Sequence, residues 1–314
     1  MNILEVKNLK KYYKVKKSFN ENIDVKALDD VSFTIQANKT LGIVGESGCG
    51  KSTLAKTLLQ LEDKTGGEIV AKGTNVSALS KKEFKSFIQM IFQDPFSSLN
   101  PRKKAWQIIA EPLFINTNFT KKECYEKALE MMNNVGLRPE LANRYPHMFS
   151  GGQRQRIGIA RALILHPQVL ICDEPVSALD VSIQAQVINL LIDLQDNMKL
   201  TYLFISHDLS VVNHISDYIL VMYLGKIVEY GARDKVFDSP SHPYTKALIA
   251  SSPGVTRESE SYTIEGELPS PLNPPQGCAF HKRCPYATVE CRNTKPILRE
   301  WQSKQVACHE LENI

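Results

Sequence analysis

Thr40–Ser52 reads TLGIVGESGCGKS, an apolar run of five residues followed at once by a glycine-rich turn. Gly45–Ser52 fits the pattern G-x-x-x-x-G-K-[ST], and Thr53–Leu61 behind it has helical character. A strand, a tight turn and a helix in that order aim several backbone N–H groups and the positive end of a helix at one point, which suits a phosphate. Gly45, Gly48 and Gly50 permit the curvature. Lys51 supplies a point charge for β- and γ-phosphates, and the Ser52 hydroxyl is a ligand for Mg²⁺. The segment Gly45, Glu46, Ser47, Gly48, Cys49, Gly50, Lys51, Ser52 and Thr53 is therefore expected to hold a nucleotide. The bland alternative is a turn without function, and the flanking strand and helix weigh against it.

Outward from this stretch, the first 250 residues or so read as strands alternating with helices. Val169–Asp173 (VLICD) and Tyr202–Ser206 (YLFIS) repeat the short β-rich run. Ile183, Val187, Leu190, Leu191, Leu194 and Met198 recur at helical spacing, as do Cys124, Ala128, Met131, Met132 and Val135, with Gly136 as a stop. Strands separated by helices predict parallel pairing in a three-layer α/β core. From about 95 to 165 no strand is evident, so a helical lobe is expected there. After about 252 the chain turns proline-rich, with Pro253, Pro269, Pro271, Pro274 and Pro275 leading into a cysteine-bearing tail. The expected domains are residues 1–252, a nucleotide-binding domain, and 253–314, a linker with a C-terminal extension.

Two further stretches carry chemistry. VLICDE ends an apolar strand in two carboxylates about 120 residues after the glycine-rich turn. Asp173 is placed to hold Mg²⁺ and Glu174 to act as general base on the attacking water. A surface turn is the alternative for such a pair taken alone. Ser150–Gln153 (SGGQ) opens a helical run, so Ser150 can cap and the free N–H groups face outward. One chain with one nucleotide has no need of a second anion-binding helix start, which points to a nucleotide supplied by a neighbour.

Composition sets the outer limits. The 314 residues are 43% hydrophobic and 23% charged, so the chain has material for a full core and is not disordered. A net charge of +4 is too small to argue for nucleic acid. The longest apolar stretch, Val211–Leu224, is interrupted by His214 and Asp217, so no membrane span is expected, and the basic N-terminal stretch lacks the apolar run of a secretory signal. Seven scattered cysteines argue against a disulfide framework.

Taken in order, these motifs resemble the nucleotide-binding subunits of ATP-binding cassette (ABC) transporters over roughly residues 3–250. The resemblance implies a P-loop NTPase fold with a RecA-like core, an inserted helical lobe and, here, a short cysteine-containing extension. It implies that Gln93 is the Q-loop residue, sharing Mg²⁺ with Ser52 and Asp173. His207 in ISHD becomes the switch histidine at the γ-phosphate, and Ser177–Asp180 (SALD) the D-loop. Tyr13 would stack on adenine, with Tyr12 a rival that phase cannot separate. Ser150, Gly151, Gly152 and Gln153 would serve ATP bound to the opposite subunit. Phe149 departs from the leucine usual at that point, a change of shape in a buried position. DPFSSLNPR (Asp94–Arg102) and GCAFHKRCPYA (Gly277–Ala287) resemble the ATPase subunits of dipeptide, oligopeptide and nickel importers. The implied partners are two permease subunits, a second ATPase subunit, identical or paralogous, and an extracytoplasmic solute-binding protein, with no nucleic acid. The implied location is the cytoplasmic face of the membrane. A cytosolic ATPase acting on ribosomes or DNA is the competing class, disfavoured because only one cassette is present, without a coiled-coil interruption.

Cys278, Cys284, Cys291 and Cys308 fall within the last 37 residues, at gaps of five, six and sixteen. Four thiolates suit Zn²⁺ or an iron–sulfur cluster. No C-x-x-C pair occurs, and wider gaps leave room for a larger cubane; the resemblance to peptide-importer ATPases also implies [4Fe–4S]. Zinc, with His281 or His309, and plain reduced thiols stay open as readings of the residues.

Overall fold

The computed structural model describes residues 1–18, 21–94, 98–252 and 266–314. They fall into two compact units, one of Asn2–Ile35, Thr40–Asn75 and Ile205–Ile314, the other of Met1, Gln36–Lys39 and Val76–Phe204. Pro95 and Ser97 of the DPFSSLNPR stretch, and Pro253 of the linker, lie outside the described residues.

In the first unit, β1 (Asn2–Ser18), β2 (Glu21–Gln36), β4 (Gly66–Ala71) and β5 (Thr74–Asn75) make a four-stranded sheet in the order β2-β1-β4-β5. β4 runs antiparallel to β1 and to β5. This corrects the expected alternation: Asn2–Ser18 and Glu21–Gln36 are two long strands in succession, and the described residues before β3 include no helix. The cue was the period of two in Val31, Phe33 and Ile35, all buried, which lysines and aspartates around it obscure. The apolar run Thr40–Val44 is β3, every residue buried. It passes through the loop into α1 (Lys51–Leu58), whose Leu54, Ala55 and Leu58 are buried.

β3 pairs in parallel with β9 (Tyr218–Tyr223), Leu41 opposite Tyr218 through Val44 opposite Val221. Beyond β9 the pairing reverses. β10 (Lys226–Ala232) is antiparallel to β9 and to β12 (Lys304–Val306), which closes a hairpin with β11 (Arg299–Trp301). The expectation of parallel pairing holds for β3 with β9 and fails at this edge, where short turns join β9 to β10 and β11 to β12. Among the described residues the unit also holds α7 (Leu209–Ile215), α8 (Arg233–Asp238), α9 (Pro243–Ala250) and α10 (Val289–Asn293).

The second unit holds α2 (Lys81–Phe87), β6 (Ile88–Ile91), α3 (Ala105–Asn116), α4 (Lys121–Asn134), α5 (Gly151–Leu163), β7 (Val169–Asp173), α6 (Val181–Met198) and β8 (Thr201–Ile205). β6 and β7 are parallel, Ile88 opposite Val169 through Ile91 opposite Cys172. Among the described residues from 98 to 165 every regular element is helical. α4 turns Cys124, Ala128, Met131 and Met132 inward and stops at Gly136, whose φ of 68° a side chain would resist. Trp106 of α3 meets Tyr125 of α4 edge to face, centroids 5.1 Å apart. No helix among the described residues is long and apolar enough to cross a membrane.

The tail is fastened by a buried charge pair. Lys304 of β12, 3% exposed, sits 2.7 Å from Glu229 of β10, which is fully buried. The ammonium also donates to the carbonyls of Lys235 and Ser239, and the carboxylate accepts the backbone N–H groups of Ser241 and His242, each at 2.9 Å. Removing one partner leaves the other charge buried alone. Lys304→Met is therefore expected to cost about 3–5 kcal/mol in chemical denaturation. Pairing it with Glu229→Gln should recover a large share of that loss, whereas equal stability of single variant and wild type would show the pair to be inert.

Candidate functional site

The phosphate loop is a tight bowl of backbone. Gly45, Gly48 and Gly50 have φ of 150°, 79° and 108°. At Gly50 the restriction is double, since a Cβ there would also lie 2.4 Å from the Ala27 carbonyl oxygen. The loop is tied at both ends: the Cys49 N–H donates to the Glu46 carbonyl at 3.2 Å, and the Gly225 N–H to the Cys49 carbonyl at 2.8 Å. The Glu46 N–H donates to the Tyr244 hydroxyl at 2.8 Å. Burial pushes up the thiol of Cys49, against the opposing charge of Lys51, so this cysteine packs as a neutral group. The Lys51 ammonium, on a largely buried side chain, lies 2.6 Å from the Gly45 carbonyl and 3.1 Å from that of Glu46, in the mouth of the bowl. Ser47, Gly48 and Ser52 present the outer face to solvent, and Thr53 follows in the first turn of α1.

The two tyrosines take different surroundings. The Tyr12 hydroxyl donates to Asp29 at 2.6 Å, and Lys26 lies over its ring at 5.3 Å. Tyr13 bonds Glu62 through its hydroxyl and lines, together with Gly48 of the phosphate loop, a cavity of about 220 Å³. Of the pair, Tyr13 is the one that shares a cavity with the loop. His207 is exposed and follows Ser206, whose N–H reaches the carbonyl of Ile43 in β3 at 3.5 Å. Asp208 next to it caps α7, accepting the N–H of Ser210 at 2.9 Å.

In the other unit, Asp173 ends β7 at 5% exposure and Glu174 follows with a φ of 47°. Gln93, just beyond β6, donates through Nε2 to the Glu174 carboxylate at 2.8 Å. Parallel pairing of β6 with β7 makes this meeting possible, because it brings the carboxyl ends of both strands to the same edge. The SALD turn is tied back by the Ser177 hydroxyl and N–H, both donating to the Glu174 carbonyl, at 3.1 and 3.3 Å. Ser150 opens α5 with a capping box: its Oγ accepts the Gln153 N–H at 3.4 Å, and Gln153 Oε1 accepts the Ser150 N–H at 3.1 Å. Gly152 is needed for close approach, since a Cβ there would stand 2.7 Å from Ile183. Phe149 before it is buried.

Among the described residues no group of three or more His, Cys, Asp or Glu side chains has the arrangement of a metal site. The tail cysteines are nonetheless free thiols that share one neighbourhood. Burial pushes Cys278 up to about 11 and Cys284 up to about 12, and the charges of the other tail cysteines add to both. Backbone N–H groups two residues on, those of Phe280, Tyr286 and Glu310, point at the sulfurs of Cys278, Cys284 and Cys308. The two histidines are engaged elsewhere: His281 Nδ1 pairs with the Cys278 carbonyl at 2.8 Å, and His309 Nε2 with that of Thr294 at 3.0 Å. Sequence reading missed Arg283, which reaches from the tail to Glu46 of the phosphate loop at 2.9 Å; nothing in GCAFHKRCPYA marks one basic residue over another.

Comparisons with known proteins bear on the same residues. The family described as ABC transporter matches residues 28–177, and the one described as oligopeptide/dipeptide transporter, C-terminal region, matches residues 228–291. The di/tripeptide transport ATP-binding protein DppF of Pseudomonas aeruginosa is 52% identical over 316 residues, covering 99% of this chain and 98% of its own. The oligopeptide transport ATP-binding protein AppF of Bacillus subtilis is 54% identical over 319 residues, covering 98% and 97%. Among solved structures, the ATP-binding cassette MJ0796, a dimer in a post-hydrolysis state with ADP and Pi, is 28% identical with a TM-score of 0.64, over 73% of this chain and 98% of that one.

The loop geometry carries its own expectation. Gly50→Ala combines a strained φ with a backbone clash and should lower stability by more than about 1 kcal/mol in thermal or denaturant unfolding. A neutral effect would mean that the loop relaxes freely and is not held in this shape.

Proposed function

From the premise that the chain belongs to the ATP-binding cassette transporter family, we propose that it is the ATP-hydrolysing subunit of a membrane importer for di- or oligopeptides. Identity of about half over nearly the full length of peptide-transport ATP-binding proteins is the observation that carries this reading. The match to a peptide-transporter C-terminal region supports it independently of the cassette.

ATP is to be held by Gly45–Thr53 with its base against Tyr13. Lys51 places positive charge at the β- and γ-phosphates. Ser52, Gln93 and Asp173 supply the hydroxyl, amide and carboxylate oxygens that a hard cation such as Mg²⁺ prefers, and that ion would neutralise charge on the phosphates. Glu174 orients and deprotonates the attacking water, and Gln93, already bonded to its carboxylate, holds it in place. His207 serves the γ-phosphate. Ser150, Gly151, Gly152 and Gln153 face the nucleotide of a second cassette; Ser150 is exposed at the positive end of α5, and the capping box holds the Ser150 and Gln153 N–H groups until that contact forms. Two permease subunits and, through them, a solute-binding protein complete the complex at the cytoplasmic face of the membrane. Asp94 and 98–102 would lie on the permease side of the helical lobe.

The tail cysteines are assigned a [4Fe–4S] cluster. Four free thiols in one neighbourhood, three with N–H groups directed at sulfur, have the donor chemistry for it. Both ring nitrogens of His309 are engaged, by the Thr294 carbonyl and the Glu290 carboxylate, which counts against its use as a zinc ligand, whereas His281 is paired through Nδ1, an arrangement that suits a metal at Nε2.

Glu174→Gln should keep ATP binding while turnover falls about 10²–10⁴-fold, read in a phosphate-release assay beside a nucleotide-binding isotherm. Near wild-type turnover would remove Glu174 from the role. Protein purified without oxygen should be brown and carry about four irons and four sulfides per chain. Colourless protein with one zinc, or with no metal, would overturn the cluster and leave the ATPase reading intact.

A further inference from the structure

The cavity that joins Tyr13 to Gly48 has a second wall that no cassette motif supplies. Pro271, Pro274, Pro275 and Lys295, all from the tail, line it together with Tyr13. At about 220 Å³ the cavity is smaller than the about 300–1,000 Å³ that encloses a whole ligand, and it matches a part of one, such as a planar base. Prolines suit such a wall because their φ is fixed, so the apolar surface they offer is ordered before any ligand arrives.

Independent contacts hold that wall against the nucleotide side of the unit. Phe280, 1% exposed, packs into the rings of Tyr223 and Tyr244 with centroids 5.3 and 5.5 Å away. Tyr244 in turn takes the N–H of Glu46 at its hydroxyl. The Arg283 guanidinium, its side chain 9% exposed, lies 2.9 Å from the Glu46 carboxylate and 3.3 Å from the Tyr223 hydroxyl. Lys295 stands 3.6 Å from Asp29, the residue that also binds Tyr12 and Lys226. Two of these contacts end on Glu46, inside the phosphate loop itself. A charge pair with one side chain nearly buried is the kind whose loss is felt, unlike the exposed lysine pairs elsewhere on this surface.

We propose that the tail is part of the nucleotide site: Pro271, Pro274 and Pro275 form the outer wall of the pocket for the purine base, and Arg283 is a positioning residue that sets the phosphate loop through Glu46. The proposal rests on the reading that Tyr13 faces the base. It gives the tail a role in nucleotide affinity as well as in its own folding. The two parts act on different ends of the ligand. The proline wall acts on the base alone, and Arg283 acts on the phosphates through the loop.

The test compares binding of Mg-ATP with binding of Mg-tripolyphosphate, which has the phosphates and no base, to the full chain by calorimetry. Pro271→Ser/Pro274→Ser/Pro275→Ser should raise the Kd for ATP about tenfold and leave that for tripolyphosphate unchanged; Lys295→Ala should do the same more weakly. Arg283→Gln should weaken both ligands, and Arg283→Lys should restore most of the loss. Tyr13→Ala separates this proposal from the reading beneath it. If Tyr13→Ala weakens ATP selectively and the proline variant, folded by its unfolding midpoint, binds ATP like wild type, the tail wall is overturned and the base site stands. If neither variant changes ATP binding, both fall. If Arg283→Gln leaves both Kd values unchanged, or Arg283→Lys fails to restore them, Arg283 has no positioning role.

Discussion

The shape of one turn governs this molecule. Six residues between β3 and α1 have to curl until their N–H groups converge, and such a curl is unstable unless its surroundings fix it. The surroundings are specific: the carbonyl of Ala27 where a Cβ would go, the N–H of Gly225, the hydroxyl of Tyr244 and the guanidinium of Arg283. None of these is a cassette motif. They come from β2, the β9–β10 turn, α9 and the tail, so four separated parts of the chain converge on the loop.

The same economy explains the edge of the sheet. Glu229 and Lys304 sit in a nearly dry environment, and a pair of this kind adds little net stability compared with apolar side chains of the same size. Its effect is on register. With Glu229 also capping the chain at Ser241 and His242, only one alignment of β12 on β10 satisfies every group. The alignment anchors the tail at its far end, after the prolines and Arg283. Burial holds His242 down to about 3, which keeps its ring neutral and able to accept the Tyr244 N–H at the start of α9.

What could be read from the sequence was local. TLGIVGESGCGKS, VLICDE and the SGGQ cap each hold their structure within a dozen residues, and the helical lobe announces itself by the spacing of Cys124, Ala128, Met131 and Met132. The meeting of Gln93 with Glu174 depends on β6 and β7 being parallel neighbours; parallel pairing was expected of the core, but the short strand Ile88–Ile91 was not among the runs read from sequence. What stayed hidden was non-local. Lys304 looks like any surface lysine until Glu229 is placed beside it, and Arg283 looks like its neighbour Lys282. The long strands β1 and β2 were masked by charge, because β1 is rich in lysine and β2 carries Asp24, Lys26, Asp29 and Asp30. Tyr12 turns to Asp29 and Tyr13 to Glu62 and the cavity beside the loop, because adjacent positions of a strand differ by a face that sequence leaves unassigned.

The account as a whole stands on the idea that this chain contributes to two nucleotides, one by its loop and one by its signature serine. The direct measurement is a structure of the assembled transporter with a non-hydrolysable ATP analogue and Mg²⁺. Lys51 of this chain is expected within hydrogen-bond distance, about 2.7–3.2 Å, of the phosphates in its own loop, and Ser150 at similar distance from the γ-phosphate held by the facing cassette. A nucleotide enclosed by one chain alone, with Ser150 still turned to its own Gln153 and facing solvent, would contradict it.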